Sequence, residues 1–301
     1  MLITRRDFLK AGVATSAAAT LTTAACTAEA ATGTQHGLKS SLAAYSFRDY
    51  LPQNGKPGKI DLHQLFDLTA KTYGLSAIEP TSYYFSAEDP EYLYSMRAHA
   101  HKLGLDISGT AIRNDFCHIE ENVRNESIAH VKKWVDHSVK IGAPAIRIFA
   151  GNNHAKVNEQ QARDWAVDCM KECCDYAGDN GIYLALENHG YLTGTSVELN
   201  DFLDRVKHPW LGINLDTGNF TEDPYGNIER MVPHSVNVQL KTEVIAANGQ
   251  GREEADIPRI VQLLSKGGYR GYIALEYEGK PDPYEAVPGY LEKLNQAIEG
   301  L

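Results

Sequence analysis

One pattern recurs through the second half of the chain and limits what it can fold into. The stretch 181–190, Gly-Ile-Tyr-Leu-Ala-Leu-Glu-Asn-His-Gly, starts on a turn glycine and runs apolar through Leu186. It then stops on Glu187, Asn188 and His189. Leu-Gly-Ile-Asn-Leu-Asp (211–216) stops on Asp216, and Gly-Tyr-Ile-Ala-Leu-Glu (271–276) stops on Glu276. Between them, Ser-Val-Asn-Val-Gln-Leu-Lys (235–241) carries Gln239 and Lys241 at its end. A short apolar run that ends on ionisable groups is the pattern of a buried parallel strand with chemistry at its C-terminal end.

The rest of the chain supplies the alternation that parallel strands need. Strands are expected at 41–47, 75–79, 105–112, 145–150, 182–187, 211–216, 235–241 and 271–276. Helical periodicity falls between them at 60–72, 90–103, 127–141, 160–177, 196–206, near Ile228, at 257–265 and at 284–298, with Ser196 placed as an N-cap. Glycines punctuate the helix-to-strand joints at Gly74, Gly104, Gly142, Gly181, Gly268 and Gly271, where a helix C-cap is expected. Eight strand–helix pairs in about 260 residues is the size of a single (β/α)8 TIM barrel, an α/β fold. The rival doubly wound sheet usually carries a Gly-rich phosphate turn after its first strand, and none is present. The barrel is expected over 38–301, preceded by a signal peptide over 1–30.

That N-terminal segment reads as a targeting sequence. Thr4-Arg5-Arg6-Asp7-Phe8-Leu9-Lys10 followed by an Ala/Thr/Val run is the layout of a twin-arginine signal. The apolar run is too short and too polar for a transmembrane span. Two processing schemes compete. Ala28-Glu29-Ala30 suits cleavage and release into the periplasm, whereas Ala24-Ala25-Cys26 resembles a lipoprotein box that would anchor the chain through an acylated Cys26. Of the remaining cysteines, Cys117, Cys169, Cys173 and Cys174, the pair Cys169 and Cys173 stands one helical turn apart; buried free thiols are expected in preference to a disulfide. A net charge of −10 argues against a nucleic-acid partner.

In a barrel the C-terminal ends of the strands carry the active site. Glu187, Asp216, Gln239 and Glu276 then meet on one rim. Three converging carboxylates repel one another, and a divalent cation is one neutraliser. An all-oxygen set suits manganese or magnesium better than zinc. The alternative is an ion network in which the acids pair with Lys241, Arg147 and Arg113. Other rim residues are His189, Arg113, Asn114, His118 and His154, with Glu79 at the end of the second strand. Tyr45 and Phe47 are expected to face the mouth, and Tyr83, Tyr84 and Phe85 to cover the rim.

Leu186-Glu187-Asn188-His189, Leu215-Asp216-Thr217-Gly218, Gln239-Leu240-Lys241 and Leu275-Glu276 resemble the motifs of the xylose isomerase-like barrel superfamily, the sugar phosphate isomerase/epimerase group. The resemblance runs from Leu42 to Ile298. It implies Glu187, Asp216, Gln239 and Glu276 as ligands of a divalent metal, most simply Mn2+, with Mg2+ or Co2+ as substitutes. Two positions depart from the family pattern: Gln239 and Asn219 stand where the family has histidines. A carboxamide oxygen can ligate, but it cannot act as an acid or a base.

The implied activity is a metal-dependent sugar isomerase or epimerase working through an enediolate, with Glu187, Glu276 and Lys241 as the catalytic groups. His189, Arg113, Asn219, His154 and Glu79 are the expected contacts to a small carbohydrate substrate. The same chemistry with a leaving group on the next carbon gives a lyase or dehydratase. A non-catalytic sugar-binding barrel is the third alternative.

Overall fold

The computed structural model describes residues 37–53 and 55–301. The signal-type segment, with Arg5, Arg6, Cys26 and the Ala28–Ala30 cleavage sequence, lies outside the described residues. The strands are β1 (Lys39–Ala43), β2 (Ala77–Glu79), β3 (Asp106–Ile107), β4 (Thr110–Ala111), β5 (Ala145–Ile148), β6 (Tyr183–Glu187), β7 (Leu211–Asp216), β8 (Ser235–Lys241), β9 (Glu243–Ile245), β10 (Arg252–Glu254) and β11 (Tyr272–Glu276). All but β9 and β10 form one parallel sheet in the order β3-β2-β1-β11-β8-β7-β6-β5-β4. Its two ends, β3 and β4, are separated in the chain only by Ser108 and Gly109. They are the two halves of one interrupted strand, so the sheet closes into an eight-stranded barrel.

The break has a local cause. The first half pairs with β2 (Ile78↔Ile107) and the second with β5 (Ala111↔Arg147). Between them the chain passes over the buried carboxylate of Glu79. A Cβ added at Gly109 would lie 3.3 Å from Glu79 Oε2 and 3.4 Å from Asn237 Oδ1. The single strand expected over 105–112 is therefore split where the barrel interior turns polar. The paired β9 and β10 form a small antiparallel ribbon just after β8.

Among the described residues eight α-helices cover the barrel: α1 (Leu62–Asp67), α2 (Pro90–Leu103), α3 (Glu121–Ile141), α4 (Glu159–Asp179), α5 (Ser196–Val206), α6 (Pro224–Met231), α7 (Ile257–Lys266) and α8 (Pro283–Glu299). Their starts are written in the sequence. Asp61, Asp89, Asn158, Asp223, Asp256 and Asp282 each cap a helix through a side-chain oxygen. Gly104 and Gly142 end α2 and α3 in the left-handed conformation, with φ of 70° and 85°. Leu184, Leu186, Ile213, Leu215, Ile273 and Leu275 are completely buried under this layer. The four described cysteines are free and buried.

Three local expectations change. The first strand ends at Ala43, and Ala44–Phe47 forms a 3-10 turn. The Ser46 hydroxyl donates to the Leu275 carbonyl at 3.0 Å and accepts from the Tyr277 amide at 2.9 Å, tying that turn to the end of β11. The turn sends Tyr45 to the mouth and buries Phe47 among Tyr50, Tyr73 and Tyr284. The helix expected over 60–72 is α1 followed by a wider π-type turn at Leu68–Thr72. The cap of α5 is Thr195, not Ser196. Thr195 Oγ1 accepts from the Glu198 amide at 3.3 Å, and the Glu198 carboxylate accepts from the Thr195 amide at 3.0 Å. Ser196 is already helical and accepts from Arg230 at 2.8 Å. Loss of this reciprocal cap should lower stability by about 1 kcal/mol. Urea unfolding of Thr195→Ala measures it, and an unchanged midpoint would remove Thr195 from that role.

Candidate active site

Parallel pairing sets the ends of neighbouring strands side by side. Asp216 is in register with Gln239, and Lys241 with Glu276. Consequently β6, β7, β8 and β11 deliver Glu187, Asp216, Lys241 and Glu276 to one rim. There they border or underlie a cavity of about 370 Å³. Tyr45, Tyr83, Arg113, Arg147, Phe149, Asn152, His189, Thr193, Asn219 and Glu278 complete its principal walls. Its size suits a small molecule, and its charged lining suits a polar one.

The carboxylates are held by cations and amides of the protein itself. Arg147 Nε stands 2.9 Å from Glu187 Oε2. The Asn219 amide donates to Glu187 Oε1 at 3.0 Å and to Asp216 Oδ2 at 2.9 Å, bridging the two acids. Asp216 also accepts from the Gly218 amide at 2.8 Å. Lys241 Nζ lies 2.8 Å from Glu276, 2.9 Å from Glu278 and 3.5 Å from Asp216. The expected ion network with Lys241 and Arg147 is therefore present. Arg113 is not part of it; its guanidinium rests over the Tyr83 ring at 4.8 Å.

These contacts set the charge states. Burial, opposed by Arg147 and reinforced by the negative Glu276, pushes the Glu187 carboxyl up from 4.5 to about 7. Burial also pushes Asp216 well above the aspartate range, against the pull of Lys241. For Lys241 burial works the other way, but Asp216, Glu276 and Glu278 outweigh it and keep the ammonium protonated. Burial lowers the His189 pKa, and the charges of Arg147 and Lys241 lower it further. His189 is thus held toward the neutral imidazole in the cavity wall, its ring tilted at 53° to that of Phe149 with centroids 4.6 Å apart.

Gln239 sits one layer below. It is two residues before Lys241 on the same inward face, so its side chain lies deeper in the barrel. Its carbonyl oxygen accepts from Asn214 at 2.6 Å, and its amide donates to Glu79 Oε1 at 2.6 Å. Asn237, one more layer down, donates to Glu79 Oε2 at 2.6 Å and to Asn214 at 2.7 Å. Gln239 and Glu79 thus form a closed polar network beneath the floor and do not border the cavity. His154 is outside it too. Its Nε2 lies 2.8 Å from Asp115, and its ring stands edge-on to His118 at 4.7 Å.

Of the expected site residues, Glu187, Glu276, Lys241, His189, Arg113 and Asn219 line the cavity, while Asp216 lies fully buried behind Asn219. Glu278 was not anticipated. Its signal is present, because it follows Glu276 by two residues and keeps the inward parity past the strand end. The four-oxygen ligand set implied for a divalent metal is not assembled by this arrangement. Gln239 is turned down into its own network, Asn219 bridges Glu187 to Asp216, and the ammonium of Lys241 stands between Asp216 and Glu276. Among the described residues no group of three or more His, Cys, Asp or Glu is positioned to hold a metal ion.

The profile of the family described as Xylose isomerase-like TIM barrel matches residues 68–294. The chain belongs to this family. Residues 2–22 match the TAT (twin-arginine translocation) pathway signal sequence, which directs export by that route. Among the described residues no helix is long and apolar enough to cross a membrane. A C-glycoside deglycosidase alpha subunit of Arthrobacter globiformis is 37% identical over 76 residues, 23% of this chain and 21% of that protein. A 3-dehydroshikimate dehydratase of Bacillus anthracis is 33% identical over 92 residues, 29% of this chain and 33% of that protein. The chain thus matches a third or less of the length of these curated relatives. The fold is shared with the probable 3-DHS dehydratase of Bacillus anthracis (TM-score 0.69, 19% identity, 85% of this chain and 98% of that one). It is shared equally with a D-psicose 3-epimerase of Clostridium cellulolyticum H10 (TM-score 0.70, 17% identity, 86% and 99%).

The buried floor makes a pH-dependent prediction. Burial pushes Glu79 from 4.5 to about 7, against the amide donors Asn237 and Gln239. A raised native pKa means that the folded protein binds this proton more tightly than the unfolded chain. The stability it contributes is full below 4.5 and is lost as pH rises through about 7. Relative to Glu79→Gln, the wild type should lose up to about 3 kcal/mol more across that interval. Urea unfolding at a series of pH values tests it, and parallel profiles for the two proteins would refute it.

Proposed function

We propose that this protein is an exported enzyme that removes a proton from the carbon beside a carbonyl of a small carbohydrate-type substrate, and so isomerises or epimerises it. One observation carries the reading: Glu187 and Glu276 reach the same cavity from different strands, each beside a fixed cation, Arg147 at 2.9 Å and Lys241 at 2.8 Å. A base and an acid placed on different sides of one substrate are what proton removal and return require. In the forward step one carboxylate takes the proton from carbon. The C–H electron pair forms the carbon–carbon double bond of the enediolate, and the carbonyl pair moves onto oxygen. Lys241 and Arg113 face the cavity and supply positive charge where that oxygen develops. The protonated carboxyl, or its counterpart across the cavity, then returns the proton in one of two ways. Return to the opposite face of the same carbon gives the epimer. Return to the neighbouring former carbonyl carbon, whose oxygen takes up the hydroxyl proton of the first carbon as a carbonyl forms at that first carbon, gives the isomer. Tyr45 and Tyr83 offer rings to the apolar face of a sugar, and Asn152 and His189 offer hydrogen bonds to hydroxyls.

A lyase is the second reading. The same enediolate expels a leaving group from the next carbon, and dehydration is that elimination with water leaving. The names of the two curated relatives, a deglycosidase subunit and a dehydratase, favour it. Both readings share the first step.

Glu187→Gln and Glu276→Gln keep size and polarity but remove the base. Each should lower turnover by about 10²–10⁴-fold. In deuterated water, substrate or product should gain deuterium at the carbon next to the carbonyl. Product analysis then separates isomer from elimination product. An isomer or epimer formed without any solvent deuterium would exclude the first reading; an elimination product that kept a deuterium label placed beforehand on that carbon would exclude the second.

Export is tested separately. Replacing Arg5 and Arg6 by Lys should retain the precursor in the cytoplasm. Mass spectrometry of the mature N-terminus distinguishes release, with Ala31 first, from anchoring through an acylated Cys26. Undiminished export of the Lys-Lys protein would rule out the twin-arginine route.

A further inference from the structure

A divalent ion shared by Glu187, Asp216 and Glu276 would need the two positions that bridge these acids. Both are filled by protein atoms. Asn219 Nδ2 bridges Glu187 to Asp216 at 3.0 and 2.9 Å. Lys241 Nζ lies 2.8 Å from Glu276 and 3.5 Å from Asp216, with Glu278 at 2.9 Å as a third acid. The remaining expected ligand, Gln239, would have to break two buried 2.6 Å hydrogen bonds to turn upward.

The position of Lys241 is built, not incidental. A Cβ on Gly218 would fall 2.6 Å from Lys241 Cβ and Cγ, so the absence of a side chain there makes the channel for the lysine stem. The Lys241 amide donates to Thr217 Oγ1 at 3.0 Å, fixing the backbone beneath it. The Tyr45 ring stands 5.8 Å from the ammonium on the cavity side. The side chain is only 7% exposed. A metal bound through the same oxygens at roughly 2.0–2.6 Å would lie within a few ångströms of this ammonium, and like charges so close in a buried site repel strongly.

We infer that the cation of this site is the protein's own: the ammonium of Lys241 takes the place of a divalent ion and supplies the positive charge that faces the developing oxyanion. Its catalytic part rests on the proton-abstraction reading above. Its structural part does not, because it concerns only what occupies the space between Asp216 and Glu276.

The experiment therefore begins without substrate. Wild-type protein exported and purified without chelator is analysed for metals, then titrated with manganese by calorimetry and by thermal unfolding. Substoichiometric metal and no manganese-dependent rise in Tm are expected. Lys241→Ala empties the position and leaves three acids unneutralised, so it should bind manganese at least about tenfold more tightly than the wild type. At about a hundredfold excess over its Kd, manganese should raise its Tm by roughly 5 °C. Lys241→Met, which keeps most of the stem without the charge, serves if the alanine variant does not fold. One tightly held ion per wild-type chain, or indistinguishable behaviour of wild type and variants toward manganese, would overturn the inference. With a turned-over substrate in hand, chelator dialysis should leave the wild-type rate unchanged; loss of rate that manganese restores would overturn it too. Failure to find any turnover counts against the proposed reaction and leaves the metal measurements standing.

Discussion

Neighbouring strands of a sheet lie about 4.8 Å apart. Closing such a sheet into a barrel therefore forces whatever ends its strands into a small ring. Here that ring holds Glu187, Asp216 and Glu276, with Glu278 at its edge, and all but Glu278 are nearly or wholly buried. Uncompensated, so many carboxylates would repel one another and draw water into the mouth. The pairing of Lys241 with Glu276 and Asp216, and of Arg147 with Glu187, is what lets the barrel end this way. Breaking either pair by removing its cation leaves buried negative charge, which is far more costly than the pair itself is stabilising.

The layers beneath carry the same logic in neutral form. β8 points Asn237, Gln239 and Lys241 inward at three successive depths. The two amides are consumed by Glu79 and Asn214, and only the lysine reaches the cavity. A network of this kind fixes side-chain orientation below the cavity, because each of its buried amides is tied to a neighbour. The two hydrogen bonds of Gln239 hold it in place and so define which residue of β8 reaches the cavity. Gly109 and the split third strand are part of the same arrangement, since a side chain there would press on Glu79.

The family to which the chain belongs uses one barrel for several reactions, and the relatives named above include epimerase and dehydratase. The mouth of this barrel balances charge within itself. Arg147 pairs with Glu187 and Lys241 with Glu276 and Glu278, while Arg113 rests over Tyr83, which forms a wall with Tyr45. Such a lining suits a small polar molecule. It also places the fixed positive charges of Arg147 and Lys241 beside the carboxylates of the cavity.

The barrel was legible in the sequence because each of its elements is local. Apolar runs of strand length, helical periodicity, Asp and Asn caps and C-terminal glycines each depend on a few neighbouring residues. Glu187, Asp216, Lys241 and Glu276 were legible for the same reason, as the last residues of their strands. Which of them touch could not be read, because contact depends on register between strands and on depth within the barrel. Gln239 illustrates it. Its motif position implied a ligand, yet its neighbours Glu79 and Asn214 are far away in sequence and claim both ends of its amide. Asn219, read as a substrate contact, lines the cavity and also clamps two carboxylates together. His154, read from its loop position, is drawn away by Asp115. The sequence by itself determined the strand ends and the kinds of charge they carry, because propensity, capping and parity act over short stretches. The tertiary structure alone decided which charge neutralises which, because that follows from closing the sheet and from the space Gly218 leaves for one lysine.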